Sequence, residues 1–255
     1  MININAIINW VLFSENGCHF NFLPSQPSLV IGICSKSGRI VQPWVDAGYV
    51  ALIIDKGLGI PLNSMVCPKD GEPRIYKYCA NVEDIIWDGT MSHISFVSIE
   101  APCTHLSAAG ARWWKEKDKK DPKLLGREAG RVKMLLDWAE KESTYVYCEQ
   151  PRGRLPAWMK ANGGRRPDEW VQPYWYAALA DDPDSERYTK RTYIWRKGFH
   201  MSWIKGLPIT HPVMGDRTTR TSSRDKDARS LTPQGLSRAV FNACHMFSND
   251  LGGEE

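Results

Sequence analysis

The sequence lacks long hydrophobic runs: within its 255 residues no apolar stretch approaches the ~20 residues that a membrane-spanning helix needs. We therefore expect no membrane among its partners. The N-terminal stretch MININAIINWVLF is apolar but has no basic flank, so it does not resemble a signal peptide. The seven cysteines are an odd number without dense pairing, which favours a reducing cytoplasm over a secreted disulfide scaffold.

The sequence also lacks a strong net charge, but its basic residues are unevenly distributed. The formal net charge is +4, while residues 150–229 contain 16 Lys and Arg against 9 Asp and Glu, which gives that segment +7 and the remainder −3. Solvated loops are one interpretation of this excess. A surface that binds phosphates is the other, because polyanion binding is largely electrostatic.

Apolar, β-branched runs recur along the chain and alternate with helical patterns. They predict strands at 28–34, 50–55, 75–79, 93–100, 144–149 and 192–196. A helix is predicted at 123–142, where apolar residues repeat at three- and four-residue spacing, and a closing helix within LTPQGLSRAVFNACHMF. Buried strands that alternate with helices indicate an α/β fold with a mostly parallel central sheet and helices on both faces.

Polar residues follow the predicted strands at their carboxyl ends, where open α/β sheets bind ligands. They are Ser35, Lys36, Ser37 and Gly38 after the first strand, Asp55 after the second, Asn81 and Asp84 after the third, Pro102, Cys103 and Thr104 after the fourth, and Glu149 after the fifth. A strand has to end in something polar, so any one of these has a purely structural explanation. Five together, including a Cys and a Glu, predict a functional site.

The first two of these strand ends resemble a nucleoside-binding βαβ unit. A turn of small residues lets the backbone approach a ligand, and an acid about 20 residues further on accepts ribose hydroxyls. Here Asp55 lies 17 residues after Gly38, but the turn SKSG has one Gly where the GxGxxG pattern has three. Alone, this signal is weak.

Cys103 has three interpretations: a nucleophile, a metal ligand, or a small residue in a tight loop. Cys103 and His105 are too close for a zinc motif, and no second pair of ligands lies at a suitable distance, so we expect no metal. A buried structural role is the default for Cys34, Cys79 and Cys148, which lie within apolar strands. Cys103 instead lies in a loop beyond a strand, where a neighbouring base or a helix N-terminus can activate a thiol.

Taken in order, SGRIVQPWVDAGYVALIID, NVEDI, APCTHLSAAGARWW, EQP, YTKRTYIW and ARSLTP resemble the motifs of the C5-cytosine-specific DNA methyltransferase family, and most closely its compact phage-encoded branch. The match runs from about residue 29 to 247 and is most specific over 101–114 and 187–196. The resemblance implies a Rossmann-like S-adenosylmethionine-dependent methyltransferase fold. It also implies DNA as the partner and, for a phage protein, the cytoplasm of a bacterial host.

The resemblance further implies a role for the residues at the strand ends. The catalytic residues are Cys103 as the nucleophile, Glu149 as the group at cytosine N3 and the exocyclic amine, and Arg191 as the group that orients the pyrimidine O2. The residues that bind S-adenosylmethionine, or a derivative of it, are Ser35, Lys36, Ser37, Gly38, Asp55, Asn81, Asp84 and Pro102. The residues on the substrate side are Thr104, His105, Arg152 and Lys190.

The chain departs from the family pattern at several positions. Lys36 stands where the turn usually has Gly, Ala101 replaces the first Pro of Pro-Pro-Cys, and Gln150 replaces Asn. A small irregular basic insertion stands in place of a full target-recognition domain. Two alternatives therefore stay open. One is C5 modification of a free pyrimidine nucleotide, or transfer of a non-methyl group, and the other is a catalytically inactive DNA-binding protein with the same fold.

The expected domain organisation follows from the extent of the match. Residues 1–28 resemble nothing in the family and are expected to form an N-terminal extension. Residues 29–250 are expected to form a single methyltransferase-like domain. Within it, 152–188 and 198–228 are predicted as irregular substrate-side segments.

Overall fold

The alternation of apolar runs and helical patterns produces an α/β architecture. The computed structural model describes residues 1–13, 29–69, 72, 74–88, 94–201, 211–212 and 231–250. The strands are β1 (Ile2–Asn3), β2 (Leu29–Ile33), β3 (Val50–Ile54), β4 (Ser64–Val66), β5 (Ile75–Cys79), β6 (Ile85–Ile86), β7 (Ile94–Ile99), β8 (Ser143–Pro151), β9 (Glu169–Val171) and β10 (Thr192–Lys197). The helices are α1 (Ile4–Phe13), α2 (Gln42–Asp46), α3 (Trp114–Lys120), α4 (Leu124–Glu142), α5 (Leu155–Ala161) and α6 (Gln234–Asp250).

Among the described residues the main sheet has eight strands, in the order β4-β5-β3-β2-β7-β8-β10-β9. The five central strands, β5, β3, β2, β7 and β8, run parallel to one another. The outer strands β4, β10 and β9 are antiparallel to their neighbours. The chain lays down β2, β3 and β5 towards one edge and then returns to place β7 and β8 on the other side of β2. The switch point therefore lies between the carboxyl ends of β2 and β7, where open α/β sheets bind ligands.

Both faces of the sheet are covered, which explains why the central strands β2, β3 and β7 are buried at every position. Ile31 and Leu52 face one way and pack under α1, α4 and α5, while Val30 and Phe96 face the other way and pack under α2 and α6. On this second face the indole of Trp44 stacks on Phe96, with ring centroids 4.7 Å apart. The predicted α/β class, with a mostly parallel sheet and helices on both faces, is confirmed.

The six predicted strands correspond to β2, β3, β5, β7, β8 and β10, and the two long predicted helices correspond to α4 and α6. The sequence pattern missed α1 and the short elements β1, β4, β6, β9, α3 and α5. Strands β4 and β9 are three residues long and α5 has seven residues, so none repeats often enough to give a recognisable period. The segment 152–188, predicted as irregular, contains α5, β9 and three short 3-10 turns.

Helix α1 lies inside the stretch 1–28 that was predicted as an N-terminal extension. Its residues Ile4, Ile7, Ile8 and Val11 repeat at three- and four-residue spacing, and their side chains are buried in the same core as α4. The boundary predicted at residue 29 therefore does not separate α1 from the domain core. Residues 14–28 and most of 198–228 lie outside the described residues. None of the described helices is long and apolar enough to cross a membrane.

Candidate active site

The loop that carries Cys103 follows β7 at the switch point. The carbonyl oxygen of Cys103 accepts hydrogen bonds from the backbone N–H groups of Leu106 and Ser107, at 2.9 and 2.8 Å, which closes a tight turn. The Ser107 hydroxyl caps the 3-10 turn Ala108–Trp113, because it accepts a hydrogen bond from the N–H of Ala109 at 3.2 Å. Cys103 itself is half-buried, so its thiol is within reach of a ligand.

A series of hydrogen bonds ties this loop to the residues at the end of β8. The side-chain amide of Gln150 donates to the carbonyl oxygen of Ala101 at 2.7 Å. Further along, the N–H of Arg154 donates to the carbonyl oxygen of Leu106 at 2.9 Å. Because Glu149 directly precedes Gln150 on β8, these bonds also fix Glu149 relative to the loop.

Gly153 lets the two segments approach this closely. It forms a bridge with Ser107, and a Cβ atom at this position would overlap the carbonyl oxygen of Leu106. A side chain would therefore push the loop away from β8. One residue earlier, the N–H of Arg152 donates to the carbonyl oxygen of Arg191 at 2.9 Å, which brings the start of β10 to the same point.

Lys190 joins the site from the segment that precedes β10. Its backbone N–H donates to Oε1 of Gln172 at 2.7 Å, which fixes the residue in place. Burial of the ammonium opposes its charge, but the Glu149 carboxylate and, to a smaller extent, Tyr188 and Cys103 outweigh burial and raise the pKa of Lys190. Lys190 is therefore a charged partner for both Glu149 and Cys103.

A second carboxyl, that of Glu100, lies beside Glu149 and is absent from the sequence-based predictions. Ile99 and Cys148 are paired in register, so the residues that follow them stand next to each other at the ends of β7 and β8. Glu100 is half-buried with its Oε1 atom shielded from solvent, and this burial together with the Glu149 carboxylate raises the pKa of the carboxyl to about 8. The sequence does contain a signal for Glu100: in the segment IEAPC an acidic residue follows the last apolar residue of the strand, directly before the Cys103 loop.

The Glu100 carboxyl also faces two hydroxyl groups. Thr232, just before α6, and Ser35, in the turn after β2, lie beside the carboxyl and lower its pKa. Glu100 Oε1, Ser35 Oγ and Thr232 Oγ1 are all buried. Glu100 therefore connects a predicted cofactor-binding residue, Ser35, with the predicted catalytic Glu149.

The side chain of Arg191 lies away from this cluster. Its guanidinium lies over the ring of Trp170, 4.5 Å from the centroid, and 5.8 Å from the ring of Tyr193. Tyr193 packs on the α4 side of the sheet, and successive side chains along an extended strand point to opposite faces. Arg191 is therefore placed on the Trp170–Tyr193 side, while Lys190 interacts electrostatically with Glu149.

The other predicted substrate-side residues divide into two groups. Thr104 and Arg152 are exposed around the loop, where a substrate can reach them. His105 instead makes contacts within the protein. Its Nδ1 lies 3.3 Å from Nζ of Lys117 in α3, and its carbonyl oxygen accepts a hydrogen bond from Nε of Arg154 at 2.8 Å. His105 therefore packs the loop against α3.

The predicted cofactor turn follows β2 and depends on Gly38. This residue has a φ of +65°, and a Cβ atom there would stand 2.5 Å from Cδ1 of Ile53. Its N–H donates to the carbonyl oxygen of Ser35 at 2.9 Å, which closes the turn. Ser35 is fully buried, whereas Lys36 and Ser37 at the tip are exposed.

The remaining predicted cofactor residues lie beside this turn, at the ends of β3, β5 and β7. Asp55 is half-buried and accepts a hydrogen bond from the N–H of Gly57 at 2.6 Å. The side-chain amide of Asn81 donates to Oδ2 of Asp84 at 2.9 Å, and Pro102 is exposed at the start of the Cys103 loop. The sheet thus brings these residues to the same edge as Glu149.

Over the described ranges, no group of three or more His, Cys, Asp or Glu side chains is arranged to hold a metal ion. The chain matches no protein-family model and no curated protein. The geometry of the site and the motif order are therefore the basis for assigning a function.

Proposed function

We propose that this chain is a Rossmann-like, S-adenosylmethionine-dependent methyltransferase that modifies C5 of cytosine in DNA. The observation that carries the proposal is the convergence of Cys103, Glu149 and Lys190 at the switch point, fixed by the hydrogen bonds between the Cys103 loop and the end of β8. A loop thiol, a carboxyl and an ammonium are suited to nucleophilic catalysis on a pyrimidine ring. The order of motifs along the chain supports the same assignment.

The chemistry follows from the weakness of cytosine C5 as a nucleophile. The Cys103 thiolate adds to C6, which forms an S–C6 bond and moves electron density in the ring towards C5. The Glu149 carboxyl, in its acid form, donates a hydrogen bond to N3 and accepts one from the exocyclic amine, and so offsets the negative charge that develops on the ring. The ammonium of Lys190 interacts electrostatically with both side chains and favours the thiolate form of Cys103.

The residues on the β3–β5 side fit S-adenosylmethionine. The turn after β2 stays tight because Gly38 has no Cβ to meet Ile53, and the half-buried Asp55 at the end of β3 is suited to accept ribose hydroxyls. Asn81 at the end of β5 would hold the adenine. When bound, S-adenosylmethionine supplies an electrophilic methyl group. After transfer, a base removes the C5 proton and the Cys103 thiolate leaves, which restores the aromatic ring.

The surface around the loop fits DNA as the substrate. Arg152 and Arg191 are exposed, and Trp170, which lies under the Arg191 guanidinium, is 41% exposed. Phosphates bind such cations and bases stack on such aromatic rings. Because Cys103 lies in a half-buried loop, a cytosine within duplex DNA has to leave the base stack to reach it.

Methyl transfer from labelled S-adenosylmethionine tests this proposal, with duplex DNA, single-stranded DNA and dCMP as separate acceptors. Mass spectrometry of the nucleosides reports the base and the added mass together. We expect 5-methylcytosine in DNA. Label on dCMP alone would contradict the DNA assignment, and DNA binding without transfer to any acceptor would identify an inactive DNA-binding protein.

A pair of cysteine variants tests the nucleophile. We expect Cys103→Ser to abolish product and leave the Tm nearly unchanged, because the hydroxyl replaces a half-buried thiol of similar size. Cys67→Ser is the matched control, since Cys67 is exposed directly after β4, at the edge of the sheet, and we expect it to retain full activity. A fully active Cys103→Ser variant would remove this thiol from the mechanism.

A further inference from the structure

A basic and aromatic surface directly follows the Cys103 loop and has no part in the proposed chemistry. It is formed by the 3-10 turn Ala108–Trp113 and by α3 (Trp114–Lys120). The indole of Trp113 is 47% exposed, although tryptophan side chains are on average highly buried. The guanidinium of Arg112 lies over this ring, 5.1 Å from its centroid. Exposed tryptophans are typical of binding interfaces, because the ring offers a large flat surface to a partner.

A shallow cleft lies beside the exposed ring. It has a volume of about 440 Å³ and is lined by Trp113, Glu116, Lys117 and Lys120. These residues stand at i, i+3, i+4 and i+7, so they share one side of the turn and of the helix that follows it. Clefts that bind small ligands have volumes of ~300–1,000 Å³, so this one can take a group of the size of a nucleotide.

The charges on this surface are mostly positive. Between residues 112 and 123 the sequence has six Lys and Arg against three Asp and Glu. Two of the three acids, Asp118 and Asp121, are paired with arginines from outside the segment, at 2.7 and 3.0 Å. The third, Glu116, pairs with Lys120 at 2.9 Å. The segment therefore keeps a surplus of positive charge, which suits the phosphates of a polynucleotide.

Contacts with the Cys103 loop fix this surface next to the candidate active site. Lys117, which lines the cleft, has its Nζ atom 3.3 Å from Nδ1 of His105, two residues after Cys103. Arg154 joins the loop to α3, because its Nε donates to the carbonyl oxygen of His105 at 2.8 Å and its Nη1 donates to Oδ2 of Asp118 at 2.7 Å. A DNA strand that lies in the cleft would therefore pass beside the loop that carries Cys103.

An unpaired base fits the exposed face of Trp113 better than a base pair does. Within a duplex both faces of each base are covered by its neighbours, whereas an unpaired base can stack on an aromatic ring. The guanidinium of Arg112 adds a planar cation, on which a base can also stack. Lys115 and Lys119 are exposed one helical turn apart and continue the line of cations for the phosphates of the same strand.

We propose that the 3-10 turn and α3 form a binding site for single-stranded DNA, in which an unpaired base stacks on Trp113 and phosphates of the same strand contact Lys115 and Lys119. The proposal rests on the proposed function, because it names the form of DNA that reaches Cys103. A cytosine in a single strand reaches the half-buried thiol without first leaving a duplex stack. The site therefore selects the form of DNA that needs no base flipping.

Binding of oligonucleotides, measured without methyl transfer, tests the proposal. Fluorescence anisotropy of a labelled oligonucleotide gives the Kd of the full chain for a single strand and for the duplex of the same sequence. Trp113→Ala and Trp113→Phe are the test variants. Trp10→Ala is the matched control, because Trp10 is also exposed but lies in α1, which contains no Lys or Arg, and packs edge-on against Tyr76 of β5. In the sheet, β3 and β2 separate β5 from the strand that leads into the Cys103 loop.

We expect the wild type to bind the single strand roughly tenfold more tightly than the duplex, and Trp113→Ala to lose roughly tenfold in affinity for the single strand, because it removes a stacked base contact. Trp113→Phe should keep most of the affinity, and Trp10→Ala should keep all of it. The double variant Lys115→Gln/Lys119→Gln should lower the slope of log Kd against log salt concentration by about 1.4, since each phosphate contact with a single strand contributes ~0.7 to it.

Three results would overturn the proposal. The first is an equal affinity of the wild type and Trp113→Ala for the single strand. The second is binding of the duplex as tight as binding of the single strand. The third is binding of phosphatidylserine vesicles without binding of the oligonucleotide, which would identify the same cations and exposed ring as a membrane-binding surface.

The two proposals can fail separately. If Trp113→Ala loses affinity for the single strand while the wild type methylates no acceptor, the proposed function is wrong and the binding site on α3 stands. If the wild type methylates DNA while Trp113→Ala keeps both its affinity for the single strand and its rate of methyl transfer, the binding site is wrong and the proposed function stands.

Discussion

Replacing Glu100 with Gln has a consequence for stability that is independent of any activity. In the folded chain, burial and the Glu149 carboxylate raise the pKa of Glu100 from 4.5 to about 8. A carboxyl with a raised pKa binds its proton more tightly in the folded state than in the unfolded state. Its contribution to stability is therefore fully present below pH 4.5, and it is lost as the pH rises through about 8.

The size of this loss follows from the two pKa values. They differ by about 3.5 units, and each unit corresponds to ~1.4 kcal/mol, so the full loss is about 5 kcal/mol at most. About 3 kcal/mol of it falls between about pH 5.5 and pH 8.5. In a chain of this size, 1 kcal/mol shifts the Tm by ~2–4 °C, so the wild type should lose roughly 6–12 °C relative to Glu100→Gln over that range.

Thermal unfolding of the wild type and of Glu100→Gln, followed by circular dichroism across this pH range, measures the difference. The comparison isolates Glu100, because every other titrating group is common to both proteins. Glu100→Asp is the control: it keeps an ionisable carboxyl at the same strand end, so we expect it to retain the pH trend of the wild type. Tm curves of the wild type and Glu100→Gln that run parallel across the whole range would refute the reasoning.

Further substitutions test how the site is assembled. Gly153→Ala places a Cβ atom against a backbone carbonyl oxygen, so denaturant unfolding should show a loss of about 1–3 kcal/mol, with most of the activity lost as well. Gly126→Ala, in an open part of α4, should instead gain up to ~1 kcal/mol, and equal losses in both variants would contradict the close packing at Gly153. Lys190→Gln should lower the single-turnover rate ~100-fold, because Glu149 loses its neighbouring cation. Arg191→Gln should weaken DNA affinity and keep the rate within a few-fold of wild type. Equal rate losses in Lys190→Gln and Arg191→Gln would place both Lys190 and Arg191 in the catalytic site.

The main strands could be predicted because burial on both faces leaves a local signature in the sequence. Strands β2 and β3 are buried at every position, so an apolar run is enough to mark each of them. Strand β9 leaves no such mark, because it is three residues long and is defined by its pairing with β10 about twenty residues further along. Helix α1 has an apolar stripe, but its place in the core depends on the surface that the sheet and α4 offer to it.

The candidate site could be predicted in part, because the parallel strands bring Cys103 and Glu149 to one edge. The environment of Glu100 could not be predicted, because it depends on Ser35, 65 residues earlier in the chain, and on Thr232, 132 residues later. Lys190 and Arg191 are adjacent cations, and the sequence alone does not tell which of them lies beside Glu149. The direction of each side chain decides which one lies beside Glu149, and that direction is a property of the folded sheet.

The bond between Cys103 and cytosine C6 is the central claim, and DNA that contains 5-fluorocytosine tests it most directly. Fluorine cannot leave C5 as a proton does, so after methyl transfer the thioether cannot be released and the protein stays attached to the DNA. We predict a protein–DNA adduct that requires S-adenosylmethionine, is located on the peptide with Cys103, and is absent from Cys103→Ser. An adduct on a different cysteine, or methylation of ordinary DNA by a protein that gives no adduct, would contradict this account.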